Sequence, residues 1–249
     1  MTTSNTTPST PRSDYFATTR WTVVVQAGQR SSPQSARALA ELCETYWYPL
    51  YCYVRRRVAS REDAEDLVQG YFERFVEQND LEHLGADRGR FRAFLLASMK
   101  HYMANQRDKA NRQKRGGGQA ILSLDWQDAD TRFQLEPVDP SANPELEFDR
   151  HWAIALLERV VHRLRDECTA DGKSDLFEQT KGFLTFNAST IPHAEAAEAL
   201  GWSEGAVRVA VHRLRQRYRA LLREEITQTL VDPAQVADEL RSLLTALTG

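Results

Sequence analysis

The chain has 249 residues, 41% of them apolar and 27% charged, with a formal net charge of −3, which suits two small domains with compact cores. No run approaches the roughly twenty apolar residues of a membrane-spanning helix and no signal-peptide pattern opens the chain, so no membrane partner and a cytoplasmic location are expected. The three cysteines, Cys43, Cys52 and Cys168, have neither the close pairing of a zinc site nor the even count of a disulfide framework and read as core thiols.

Residues 1–14 are mostly Ser, Thr, Pro and Asn. They cannot bury enough apolar surface to offset the entropy of ordering, so a disordered tail is expected. From residue 35 to 58, Leu39, Leu42, Cys43, Tyr46, Trp47, Leu50, Tyr51 and Val54 recur at three and four, the mark of a helix with one broad apolar face. Pro49 should kink or interrupt it. Ser60 fits an N-cap, with Glu62, Asp63, Glu65 and Asp66 in the following turns, where the helix dipole favours acids. The next helix carries Ala64, Leu67, Val68, Tyr71, Phe72, Phe75 and Val76 towards the core and leaves Asp66, Gln69, Glu73 and Glu77 on other faces.

Gly85 and Gly89 bracket a turn, and Phe91, Phe94, Leu95, Ser98, Met99, Tyr102 and Met103 then form a further helical stripe. It runs into a cationic stretch: between Arg88 and Arg115 stand nine basic residues against the single acid Asp108. Gly116, Gly117 and Gly118 should stop this helix. The segment that follows, to residue 144, is acidic, contains three prolines and lacks a sustained period, the expectation for a flexible linker over 116–144. Helical patterning resumes near Glu145 with Trp152, Ala155, Leu156, Arg159, Val160 and Leu164, followed by a less regular piece from 168 to 191. Val236, Leu240, Leu243, Leu244 and Leu247 predict a closing amphipathic helix within 226–249, free to pack on the second domain or on a partner. The only weak strand candidate is 121–124. The predicted fold class is therefore all-α: two small helical domains, 15–115 and 145–225, joined by an acidic linker.

The most specific local signal lies between His193 and His212. A helix-turn-helix needs a small residue where its helices cross, a glycine in the turn and apolar residues facing the core. Ala197 supplies the first and Gly201 the second, while Ala196, Leu200, Trp202, Val207 and Ala210 supply the core. Ser203 caps a second helix whose Arg208, His212, Arg213, Arg215 and Arg217 would face bases and phosphates. An ordinary helical hairpin with a solvated basic face is the alternative to DNA binding here.

The segment Asp63, Ala64, Glu65, Asp66, Leu67, Val68, Gln69, followed by Phe72, resembles the polymerase-binding helix of the extracytoplasmic-function (ECF) subfamily of sigma-70 factors. Phe91, Arg92, Ala93, Phe94 and Leu95, continuing through Asn105, Gln106 and Arg107 to Arg112, Gln113, Lys114 and Arg115, resemble its promoter-melting segment. The resemblance covers roughly 46–115 and 152–222. It implies two domains similar to sigma regions 2 and 4, no catalytic residue and no cofactor. As partners it implies promoter DNA and core RNA polymerase, through the clamp helices of the largest subunit and the flap.

On that resemblance, Asp63, Asp66, Gln69, Phe72 and Glu73 would dock on the polymerase. Asn105, Gln106, Arg107, Lys109 and Arg112 would hold the minus-ten element, with Asn105 near a flipped base and His101 or Tyr102 open to stacking; both are equally suited to the core, which is the better reading for Tyr102. Ser203, Glu204, Arg208, His212, Arg213, Arg215 and Arg217 would meet the minus-thirty-five element. The chain departs from the family pattern at Val209 and Ala210, where polar and basic residues are common, and its linker and tail exceed a minimal member. The acidic linker or the amphipathic tail is accordingly expected to hold a basic surface closed in the absence of core polymerase. An anti-sigma protein or a kinase is open to such a factor as a controller.

Two other readings define alternatives. A repressor or activator could use the helix-turn-helix without core polymerase, usually as a dimer on a palindrome. A metal hydrolase would need chemistry that the sequence lacks: there is no His-Glu-x-x-His pattern, phosphate loop or nucleophile elbow. His83, His151, His162 and His193 share no ligand spacing.

Overall fold

The computed structural model describes residues 33–77, 90–110, 126–135, 143–184 and 192–248. The expected tail, the turn at Gly85 and Gly89, Arg88, the cations from Arg112 to Arg115, the glycine triplet and the strand candidate at 121–124 lie outside the described residues. Among the described residues nine α-helices follow in order: α1 (Pro33–Arg55), α2 (Arg61–Glu77), α3 (Phe91–Ala110), α4 (Trp126–Leu135), α5 (Pro144–Ala170), α6 (Ser174–Thr180), α7 (His193–Leu200), α8 (Glu204–Thr227) and α9 (Val236–Thr248), with short 3-10 turns after α6 and before α9. The protein is all-α. Its only extended pairing among the described residues is an isolated antiparallel bridge between Arg90 and Leu230. No helix among them is long and apolar enough to cross a membrane.

Helix α1 continues through Pro49 without interruption. Pro49 and Leu50 lie inside the core, so tertiary packing outweighs the missing N–H at this point. Helix α2 begins where its cap predicts, the Ser60 hydroxyl accepting from the Asp63 N–H at 3.0 Å. The two meet α3 in an aromatic core containing Tyr46, Tyr51, Phe72, Phe75, Phe91, Phe148 and Trp152. Within it the Trp152 indole donates to the Tyr46 hydroxyl at 2.9 Å, which satisfies both polar tips in the apolar interior. Cys43 and Cys52 are buried here and Cys168 in the next core, all three as free thiols. Burial pushes the Cys43 thiol far above its ordinary range.

Residues 126–135, inside the expected flexible linker, form a helix. Trp126, Ala129, Asp130 and Phe133, one helical stripe, carry α4 onto α1: Trp126 packs edge-on against Trp47 at 5.6 Å, and the Tyr51 hydroxyl donates to Asp130 at 2.9 Å. Sequence periodicity missed it because one buried position is an aspartate. That charge is accommodated by Tyr51, by Gln134 at 2.6 Å and by Arg55 at 3.7 Å.

Helix α5, 27 residues or about 40 Å long, belongs to two cores. Phe148, Trp152, Ala153 and Leu156 join the aromatic core, whereas Val160, Leu164 and Cys168 pack with Phe177 of α6 and with Leu214 and Leu221 of α8. A third, smaller core of Phe183, Ala196, Ala197, Val207 and Val211 sits under α7 and α8. The closing helix α9 does not end as a free tail. Leu243 is buried in the aromatic core, and Val236, Leu240 and Leu247 pack against it.

Candidate nucleic-acid interface

The acidic helix α2 presents Asp63 and Asp66 to solvent, with Gln69 and Glu73 half-buried and joined by a Gln69-to-Glu73 hydrogen bond of 3.1 Å. Phe72, placed with these residues on the family resemblance, is buried beside Tyr71. It is a core residue that supports the acidic face and cannot touch a partner in this conformation. The reason is periodic: Val68, Phe72 and Phe75 form one stripe, on the side of α2 turned towards α1 and α3.

Helix α3 divides its cations by position. Near its start, Arg92 is 8% exposed. Its guanidinium makes a bidentate pair with Glu239 of α9 (2.6 and 3.2 Å), bonds Asp149 of α5 and lies 4.4 Å from the Trp152 ring centroid. Arg90 adds a second pair to Glu239 at 3.1 Å. Lys100 pairs with Glu145. Arg92 is therefore an internal clamp, and the cationic run of the sequence is not one continuous surface.

The far end of α3 is different. His101, Asn105 and Arg107 are exposed, and among the described residues none of the three has a hydrogen-bond or ion-pair partner. Tyr102 is buried, and its hydroxyl accepts from the Gln106 amide at 2.7 Å, which fixes the side chain next to Asn105. That hydroxyl also faces α2 closely: a Cβ on Gly70 would stand 2.7 Å from it. Lys109 lies in the last turn of α3 with its side chain outside the described residues, and Arg112 lies outside them altogether.

Helices α7 and α8 form the helix-turn-helix. Gly201 ends α7 with φ +66°, a left-handed angle that glycine adopts without strain. Ser203 caps α8, its hydroxyl accepting from the Ala206 N–H at 3.2 Å. Ala196, Ala197 and Val207 are buried at the crossing, as expected, but Trp202 is 45% exposed and so stands at the turn's surface rather than in the core. The turn residue precedes the first helical position of α8, where no facing element covers it.

The first half of α8 is open. Glu204, Arg208, His212 and Arg213 are exposed; Arg208 reaches only its own helix, pairing with Glu204 at 3.1 Å. Arg213 and His212 have no ion-pair partner among the described residues. Val209 and Ala206, which the sequence assigned no role, are exposed on the same half.

Further along α8 two arginines are tied down, while Arg219 and Arg223 are exposed. Arg215 donates to the Phe183 carbonyl at 3.0 Å, and Arg217 makes a bidentate pair with Glu167 of α5 at 2.7 Å for each bond, together with Glu224 at 3.0 Å. These bonds from Arg217 hold the Glu167 carboxyl below the usual carboxylate range. Glu225, buried, is gripped by Arg159 at 3.1 Å and by Arg163. Arg215 and Arg217 thus brace α8 against its supports, and the candidate contacts tied to no other element among the described residues are Arg208, His212 and Arg213.

Neither α4 nor α9 forms an ion pair with any of these candidate contact residues. Among the described residues, α9 reaches the rest of the chain by ion pairs to Arg90 and Arg92, and α4 by pairs to Arg55, Arg61 and Glu158. Among the described residues, the tail buries the start of α3 and makes no ion pair with either candidate contact face. No group of three or more His, Cys, Asp or Glu among the described residues is arranged to hold a metal ion.

No curated protein and no solved structure matches the chain. The family model described as "ECF sigma factor" matches residues 34–225, from α1 to the last turns of α8. That span takes in the acidic helix, the cationic helix and the whole helix-turn-helix. The chain belongs to the ECF sigma factor family of transcription initiation factors.

Proposed function

We propose that the protein binds core RNA polymerase through the acidic face of α2 and directs it to promoters, where α3 melts and holds the minus-ten element and α8 reads the minus-thirty-five element. Asp63, Asp66, Gln69 and Glu73 form the docking face, with Phe72 beneath them. An exposed acidic stripe is repelled by DNA and is complementary to a basic protein surface, for which the clamp helices of the polymerase's largest subunit are the partner. The flap is the partner for the second helical domain. The functional division is 15–115 for polymerase and the minus-ten element and 145–225 for the upstream element, with the chain acting in the cytoplasm.

At the end of α3, Asn105 can both donate to and accept from one base edge, with His101 one helical turn away to stack and Arg107 and Lys109 to hold phosphates. At α8, Arg208, His212 and Arg213 face the major groove with the Ser203 cap and Glu204 at the groove entrance. The observation that carries the reading is that the acidic face of α2, the exposed Asn105 and Arg107 of α3 and the exposed Arg208, His212 and Arg213 of α8 all fall within the span matched by the ECF sigma factor family. An anti-sigma protein or a kinase remains a compatible controller of the same faces.

The test is transcription with purified core polymerase. Addition of the chain is expected to produce transcripts from discrete start sites, and DNA binding at those sites is expected to require the polymerase. Tight sequence-specific binding by the chain alone, with no retention on core polymerase, would replace this reading with that of a repressor or activator.

A further inference from the structure

Val209 is 52% exposed, the most exposed large apolar side chain of α8. At about 100° per residue it lies on the side of the helix opposite the buried stripe of Val207, Val211 and Leu214. Nothing in the fold explains it: it packs in none of the three cores, and a β-branched residue gains nothing in an exposed helical turn. A single exposed valine would need no explanation. This one, however, sits among Arg208, His212 and Arg213, all exposed.

The approach to it is unobstructed. Gly205, one turn earlier on the same side, has open space where a Cβ would stand, the nearest atom being the Ser203 hydroxyl at 4.0 Å. Ala206 beside it is exposed and small. Gly205, Ala206 and Val209 therefore make a smooth apolar strip at the centre of the face, with cations at its borders. Cations at the border suit phosphates; an apolar centre suits a base edge without donors or acceptors. In the major groove one group answers that description, the C5-methyl of thymine.

We infer that Val209 reads the C5-methyl of a thymine in the upstream promoter element, making α8 a selector of thymine by apolar contact at that base pair. The inference rests on the proposed reading that α8 enters the major groove of promoter DNA.

The test uses the full chain with core polymerase. Duplexes are selected from a randomised upstream library, and each thymine of the selected element is then replaced singly by deoxyuridine, which removes the methyl and keeps the base pair. One such replacement is expected to weaken binding about fourfold, the equivalent of one methyl returned to water. Val209→Ala is expected to weaken binding to the thymine duplex by a similar factor and to bind the thymine and uracil forms of that position equally. Alanine favours the helix, so loss of folding does not confound the comparison. Arg213→Ala serves as the reference and is expected to weaken both duplexes alike.

A Val209→Ala protein that still distinguishes thymine from uracil as the parent does overturns the inference, as does a parent protein indifferent to every replacement. If no upstream element is selected and Arg213→Ala has no effect, the DNA-reading role of α8 is itself wrong and the inference falls with it.

Discussion

Helices α3 and α8 are both rich in basic residues, yet they are open at opposite ends. At the start of α3, Arg90 just before the helix and Arg92 and Lys100 within it are engaged by Glu239, Asp149 and Glu145, and the second half carries the exposed Asn105 and Arg107. In α8 the first half carries the exposed Arg208, His212 and Arg213, while Arg217 in the second half is held by Glu167 and Glu224. The partner acids come from remote segments: Glu239 stands 147 positions from Arg92 and Glu167 stands 50 from Arg217. Arginine density along the chain therefore overstates the surface available to DNA, and what separates a grip on promoter from a structural brace is where the compensating carboxylates fold.

The sharpest way to break this comparison is to remove a brace. Arg92→Ala strands Asp149, leaves Glu239 with Arg90 alone and uncovers Trp152. It is expected to cost about 3 kcal/mol in denaturant unfolding, since removing one partner of a buried pair leaves charge uncompensated. Loss of promoter affinity with an unchanged unfolding midpoint would instead make Arg92 a contact residue. Gly70→Ala places a methyl against the Tyr102 hydroxyl and is expected to cost about 2 kcal/mol by overpacking. It should also impair melting, because Gln106 is positioned by that hydroxyl; footprinting of the single-stranded region with permanganate checks this.

The grips should show the reverse pattern. Arg213→Ala is expected to weaken binding to the upstream duplex by about 2 kcal/mol without altering stability, whereas Arg217→Ala should change duplex affinity far less and slightly lower the unfolding midpoint. Equal effects of the two on DNA would erase the division of α8. The smallest effect expected is that of acid. A carboxylate held below its unfolded pKa contributes stability that is present above that value and is lost as pH falls through the folded one. The Glu167 pair with Arg217 should thus weaken below about pH 4.5, and Arg217→Ala should lose less stability than the parent across that interval.

Much of the architecture was legible because it depends on local rules. The Ser60 and Ser203 caps, the left-handed Gly201 and the three-and-four spacing of α1 and α2 are short-range features, and each appears where the sequence places it. Helix α4 was not legible, because its buried face includes Asp130, which is satisfied by Tyr51 from α1. The docking of α9 was not legible either: an amphipathic stripe states that a helix will be covered and not by what, and the Glu239 clamp joins two segments with no local relation. At the candidate site, sequence separated contact from core poorly at single residues. Trp202, expected in the core, stands exposed, while Phe72 is buried as its periodicity predicts although the family resemblance set it among the docking residues; only the facing elements decide which is covered.

In the proposed function two exposed faces of one chain meet two elements of one promoter. Photo-crosslinking side chains placed at positions 92, 105 and 213, in complex with core polymerase and a selected promoter, test it directly. Position 105 is expected to label the minus-ten element and position 213 the minus-thirty-five element of the same DNA, while position 92 labels only protein. Labelling of DNA from position 92, or of protein alone from 105 and 213, would contradict it.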